Sequence, residues 1–156
     1  MLASIEQGLV AYLKDSPLAA RLRQIDALPD LEGDSLVGRF GADAPAVYVA
    51  MGSGDLVERG MAAPTIGIAC VTRNSRSPQA ARQGDGMQLG LLQLVESILV
   101  LIDGAVIDER HYQALRWDMV ASDTLYRKGL YVAVVQVRTA APLPAPDFDP
   151  PPWTTA

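Results

Sequence analysis

His111 is the side chain in this sequence whose type and surroundings best suit proton transfer. It follows Asp108 and Glu109 closely and is near Asp103, so a carboxylate can orient its ring as in a general base. No nucleophile motif is nearby, and a solvated histidine in a loop just before a strand explains the same residues. The sequence therefore predicts a protein that is not an enzyme, with catalysis by His111 as the alternative.

Two further features resemble fragments of catalytic or binding motifs. Cys70 is in the middle of an apolar segment, where a thiol is inert because reactivity needs a stabilised thiolate. Gly52-Ser53-Gly54 follows a predicted strand, but it is neither a phosphate-binding loop nor a nucleophile elbow, and a turn explains it. With one histidine and one cysteine, the chain has no multi-histidine metal site and no internal disulfide. We therefore predict no catalytic residue, no metal and no other cofactor.

Charge is distributed unevenly along the chain. Lys and Arg total 13 against 18 Asp and Glu, a net charge of −5. This balance disfavours coating of DNA, because phosphate contacts need clustered cations. Residues 26–58 are acidic, whereas the loop 73–86 is basic through Arg73, Arg76 and Arg82. We predict that these arginines form an interface, with the acidic region of a neighbouring subunit or of a partner protein opposite them. Alternatively, the loop 73–86 is simply solvated, or its arginines line a passage for nucleic acid.

Hydrophobic patterning predicts a single domain over residues 1–141, followed by an extended tail over 142–156. Apolar residues at helical spacing predict a helix near the N-terminus and a long helix over 87–102. Runs rich in β-branched residues predict strands over 46–51, 65–72, 112–122 and 125–139. A turn at Asp123-Thr124 is predicted to join the last two strands as a hairpin. Six of the eleven prolines fall in the tail, which disfavours helix and central strand there.

This order of elements predicts an α+β fold. We expect a mainly antiparallel sheet of about four strands, with the long helix and the N-terminal helix packed against it. Residues 26–34 are turn-rich, and residues 73–86 lack apolar periodicity, so both segments are predicted to be loops.

The long helix is apolar on more than one side. Leu89, Leu92, Val100 and Leu101 widen its apolar stripe beyond one packed face. The last strand is also apolar on both faces, one of which carries Tyr131. A sheet can cover one side of such a helix and a second subunit the other. We therefore predict that Leu89, Leu92, Leu101 and Tyr131 contribute to contacts between copies of the chain.

Five segments of the chain together resemble a family of tail proteins of Mu-like long-tailed phages that is linked to tail termination. These segments are Ile5–Leu13, Pro45–Gly52, Thr65–Asn74, Ala81–Gly84 at the start of the long helix, and Tyr131–Thr139. They cover nearly the whole chain except the tail. The similarity is one of pattern and order, because none of these motifs is chemically diagnostic.

The resemblance implies a tail terminator that assembles as a hexameric ring on the last ring of the tail tube. Such a ring caps the tube, stops its polymerisation and offers a surface for joining the head to the tail. The implied partners are other copies of the chain, the tail tube protein and the head–tail connector proteins, with DNA only as it passes through the lumen. The implied location is the virion tail, after assembly in the host cytoplasm. Residues 1–10 lack the pattern of a signal peptide, and we expect no membrane contact.

Two other functions remain open from the sequence. Within tail biology, the chain can be a head–tail connector or a tail-assembly factor. Outside it, the chain can be a cytosolic adaptor that binds a peptide at a sheet edge.

Overall fold

The computed structural model describes residues 1–74, 77–86 and 88–144, which form helices on both faces of a sheet. The helices are α1 (Leu2–Lys14), α2 (Gly33–Asp43), α3 (Pro78–Gln83), α4 (Leu91–Ile102) and α5 (Asp123–Arg127), with a short 3-10 helix at Pro17–Arg21. The strands are β1 (Gln24–Ala27), β2 (Ala46–Glu58), β3 (Met61–Arg73), β4 (Val106–Ile107), β5 (Arg110–Met119), β6 (Leu130–Thr139) and β7 (Ala141–Pro142).

The strands pair in the order β1-β2-β3-β6-β5-β4, and β7 pairs with the start of β3. β1 runs parallel to β2, and the other pairs are antiparallel, so the sheet is mixed. The sheet is curled into a half-barrel.

The prediction of a mainly antiparallel sheet of about four strands is therefore wrong. The missing strands have too little hydrophobic signal, since β4 and β7 have two residues each. β1 has four residues, of which only Ile25 is buried. The second half of β1 overlaps the segment 26–34 that the sequence predicts to be a loop. These residues form a strand because their backbone pairs with β2, and not because their side chains are buried.

Each face of the sheet carries its own apolar core. α1 and α4 cover one face, where Ile5, Leu9, Leu94 and Ile98 pack with residues of β2, β3 and β6. α2 and α5 cover part of the opposite face around a smaller cluster, which contains Phe40. Strands covered on both faces must be apolar on both faces, which is the pattern that the sequence of β6 displays.

The segment between β5 and β6 is a helix, and the predicted hairpin turn at Asp123-Thr124 is wrong. The Ser122 hydroxyl accepts a hydrogen bond from the Leu125 amide and so begins α5. The buried Leu125 side chain joins the smaller core, and β6 begins only at Leu130. Apolar residues at 125 and 126 that resemble the start of a strand belong to this helix instead.

The predicted loop over 73–86 also contains a helix. Ser77 caps α3 by accepting from the Ala80 amide, and Pro78 occupies its first turn. The long helix begins at Leu91 rather than at residue 87, because Gly90 is its N-cap residue. Of the tail, Pro142 lies in β7, and the Leu143 amide donates to the carbonyl of Gly60. Residues 145–156 lie outside the described residues.

Candidate interaction surfaces

The structure does not assemble a catalytic group around His111. Its ring makes no hydrogen bond or ion pair within the described part of the chain. The Asp103 carboxylate instead accepts from the Ala114 amide at 3.0 Å. Asp108 and Glu109 form the two-residue turn between β4 and β5, with φ values of 49° and 66°. Among the described residues, no three His, Cys, Asp or Glu side chains converge as a metal site would require.

Cys70 and the glycine-serine-glycine segment are structural. Cys70 is fully buried in β3, and burial raises the pKa of its thiol to about 12. The neutral thiol therefore packs as a small apolar side chain. Gly52-Ser53-Gly54 is part of β2 rather than a turn, with Ser53 opposite Thr65 and Gly54 opposite Pro64 in β3.

The distal half of the β2–β3 hairpin extends away from the core. We call residues 52–62 the hairpin arm. The first four residues of β2 are buried, whereas residues 52–58 are all exposed. A two-residue turn at Arg59-Gly60 closes the arm, and two bulges interrupt its register. Bulges increase the local twist of a hairpin.

The outer edge of the hairpin arm has no strand beside it in the described ranges. β1 pairs with β2 only as far as Val49, and the Glu6 carboxylate accepts from the Met51 amide at 3.1 Å. From Gly52 onward the outer edge of β2 is open. Two large apolar side chains of the arm are exposed to solvent, Leu56 at 75% and Val57 at 52%.

A second open edge lies on the opposite side of the sheet, along β5. β4 pairs only with the start of β5, and Asp103 binds the Ala114 amide. Beyond Ala114 no strand of the described residues pairs with this outer edge. A bulge at Leu115 interrupts the pairing register between β5 and β6. The side chains of Leu115 and Trp117 are 45% and 44% exposed. Unprotected edges with apolar side chains are templates for pairing with another chain.

A cleft of about 600 Å³ lies where α2, α3 and α5 meet the ends of β3 and β6. We call it the basic cleft, because its described lining includes three cations, Arg73, Arg127 and Lys128. Arg73 Nη1 donates to the Gly41 carbonyl at 3.3 Å. The ring of Tyr126 lies 5.4 Å from that of Tyr131, centroid to centroid, and both tyrosines line the cleft.

Only some of the predicted interface residues lie where a partner can reach them. Arg73 and Tyr131 line the basic cleft, although most of the Tyr131 side chain is buried. Arg82 is exposed on α3, and Leu92 is exposed on α4. Arg76 lies outside the described residues.

The other two predicted helix residues are covered by the chain itself. Leu89 is buried in the larger core, and the half-buried Leu101 packs against it. The carbonyl of Leu101 also accepts from the Tyr12 hydroxyl at 2.8 Å. α4 is therefore mostly wrapped by its own chain, with Leu92 and Val100 as its exposed apolar side chains.

The hairpin arm and two of the three cleft cations are absent from the sequence-based prediction. The first four residues of the arm, 52–55, lack the alternation of apolar and polar side chains that predicts a strand, since they are Gly, Ser, Gly and Asp. Arg127 and Lys128 fall in a segment that the sequence predicts to be a strand. The sequence signal that could reveal them is a pair of adjacent cations directly before a glycine. Gly129 has a φ of 70° and follows the C-terminal end of α5, where the two cations lie.

No protein-family model matches this chain, and no curated protein matches it. No helix among the described residues combines the length and apolar character that crossing a membrane requires.

Proposed function

We propose that this protein forms a closed ring of identical subunits that caps the tail tube of a phage. In this proposal the ring stops polymerisation of the tube and offers a surface for joining the head to the tail. The pattern resemblance to tail terminators of Mu-like phages supplies the biological setting and the number of six subunits.

One observation carries the proposal: among the described residues, the sheet has two different open edges, on opposite sides. The hairpin arm leaves the outer edge of β2 open, and β5 leaves the other side open beyond Ala114. Both edges carry exposed apolar side chains. An arm of one copy set against the β5 edge of the next makes a head-to-tail contact, and repeated head-to-tail contacts close into a ring when the rotation allows it.

Charge supports a contact that is mainly apolar. Each chain carries a net charge of −5, so six copies repel each other with a total of about −30. Exposed leucine, valine and tryptophan at the two edges offset that repulsion without adding charge.

Tails assembled without this protein test the proposal. If the ring terminates the tube, phage production in its absence should give tubes much longer than the wild-type tail, and a complementing copy of the gene should restore the normal length. The measurement is the distribution of tail lengths by electron microscopy.

Two other outcomes contradict termination. Tails of normal length that lack heads would assign the chain to head–tail joining instead. Complete particles with normal tails would remove it from the tail altogether.

A further inference from the structure

The cations of the basic cleft have few partners within their own chain. Arg127 and Lys128 make no side-chain hydrogen bond or ion pair among the described residues. Arg73 donates to a backbone carbonyl and makes no ion pair within the part of the chain that the structure describes. No carboxylate occurs among the described residues that line the cleft. In a chain with a net charge of −5, this is a concentrated positive site.

A complementary segment leads into α2 and includes the first two residues of that helix. We call residues 28–34 the acidic loop, which contains Asp30, Glu32 and Asp34. Residues 30–34 are all exposed, and these three carboxylates make no ion pair or side-chain hydrogen bond in the described part of the chain. Leu28 and Leu31 are also exposed, at 41% and 39%.

We infer that the basic cleft of one copy binds the acidic loop of a second copy. Three carboxylates match three cations, and the exposed leucines match the apolar and aromatic part of the lining, Val37 and Tyr126. The volume of about 600 Å³ is within the range of ordinary ligand sites. This contact rests on the proposed ring, in which each copy presents one cleft and one loop to its neighbours.

A protein segment fits this cleft better than DNA does. Three cations neutralise few phosphates, and binding that depends on phosphates falls steeply with salt. The acidic loop carries exposed leucines beside its carboxylates, which suit the apolar part of the lining. A phosphate backbone has no counterpart for Val37 and Tyr126.

A charge swap tests the contact in the full-length protein. The cleft variant is Arg127→Glu with Lys128→Glu, and the loop variant is Asp30→Lys with Glu32→Lys. Asp34 is left in place because it lies in the first turn of α2, where a carboxylate stabilises the helix. We expect each double variant to weaken self-association at least tenfold at 0.15 M NaCl, measured by sedimentation velocity. Combining all four changes should restore the wild-type value to within about threefold, because the charges are then exchanged.

A control and a DNA probe complete the experiment. Lys14→Glu changes an exposed cation on α1 and should leave self-association unchanged. Fluorescence anisotropy with a labelled 20-base-pair duplex measures DNA binding by the same proteins.

The outcomes separate the contact from the ring. Self-association that is insensitive to both double variants overturns the contact and leaves the ring standing. Failure of the fourfold variant to restore association overturns the pairing of these two sites, provided that it unfolds at the wild-type temperature. Tight DNA binding that only the cleft variant abolishes assigns the cleft to nucleic acid and also overturns the contact. A wild-type chain that stays monomeric contradicts both the contact and the ring.

Discussion

A variant with Leu56→Asp and Val57→Asp is expected to fold as the wild type does and to lose its ring. Both side chains are more than half exposed, so their replacement removes no core contact and should change the free energy of unfolding by about 0.5 kcal/mol or less. Burial of a Leu or Val side chain in a contact contributes about 1.5–3 kcal/mol. Loss of two such contacts weakens each subunit contact by about 3 kcal/mol or more, which is a hundredfold or more in the dissociation constant.

The control for this variant keeps the arm apolar. Leu56→Met with Val57→Ile changes the same positions without adding charge, and we expect it to assemble as the wild type does. Size-exclusion chromatography with light scattering reports the mass of each protein, and circular dichroism reports its folding. An aspartate variant that still forms full rings would show that the hairpin arm is not a subunit contact.

A Gly90→Ala variant is expected to unfold at a clearly lower temperature than the wild type. A Cβ at this position would clash with the amide nitrogen of Gly84 and with the carbonyl carbon of Gln83. These are backbone atoms at the end of α3, so no rotamer change can relieve the contact. α3 must separate from the start of α4, and the hydrogen bond from the Gly90 amide to the Gln93 side chain is strained. Overpacking of this kind costs about 3 kcal/mol.

The matched control is Gly38→Ala in α2. A Cβ there meets no atom within 4 Å, and alanine favours a helix interior by about 1 kcal/mol over glycine. Thermal unfolding followed by circular dichroism should place Gly90→Ala about 10 °C below the wild type and Gly38→Ala at or slightly above it. Equal melting temperatures for Gly90→Ala and the wild type would contradict the close packing of α3 on α4.

The sequence predicted best those helices and strands whose side chains are buried on one whole face or on both faces. The apolar cores of β2, β3 and β6 and most of α4 show their β-branched content or helical spacing directly, because long runs of their side chains are buried. The strand segments that it missed are held by backbone pairing instead. Ile25 is the one buried residue of β1, and residues 52–58 of β2 are exposed, so neither segment has a hydrophobic period to detect.

The predicted interface residues differ in how exposed they are in the folded chain. Leu89 lies just before α4 and is buried in the larger core, and Leu101 of α4 is half-buried against the same core. The hairpin arm and β5 carry exposed apolar side chains that the sequence-based prediction did not include, among them Leu56 and Trp117. The basic cleft joins Arg73, a predicted interface residue, to two cations of α5 and its C-terminal end that the pattern did not indicate. Only the tertiary fold brings those residues from different segments together.

The mass of the wild-type protein in solution tests most directly whether its two open edges join copies into a ring. Sedimentation velocity over a range of concentrations, with negative-stain images of the main species, should show one closed ring. Six copies of the 16.7-kDa chain give about 100 kDa. A single 16.7-kDa species at every concentration would contradict the account, and so would filaments of indefinite length.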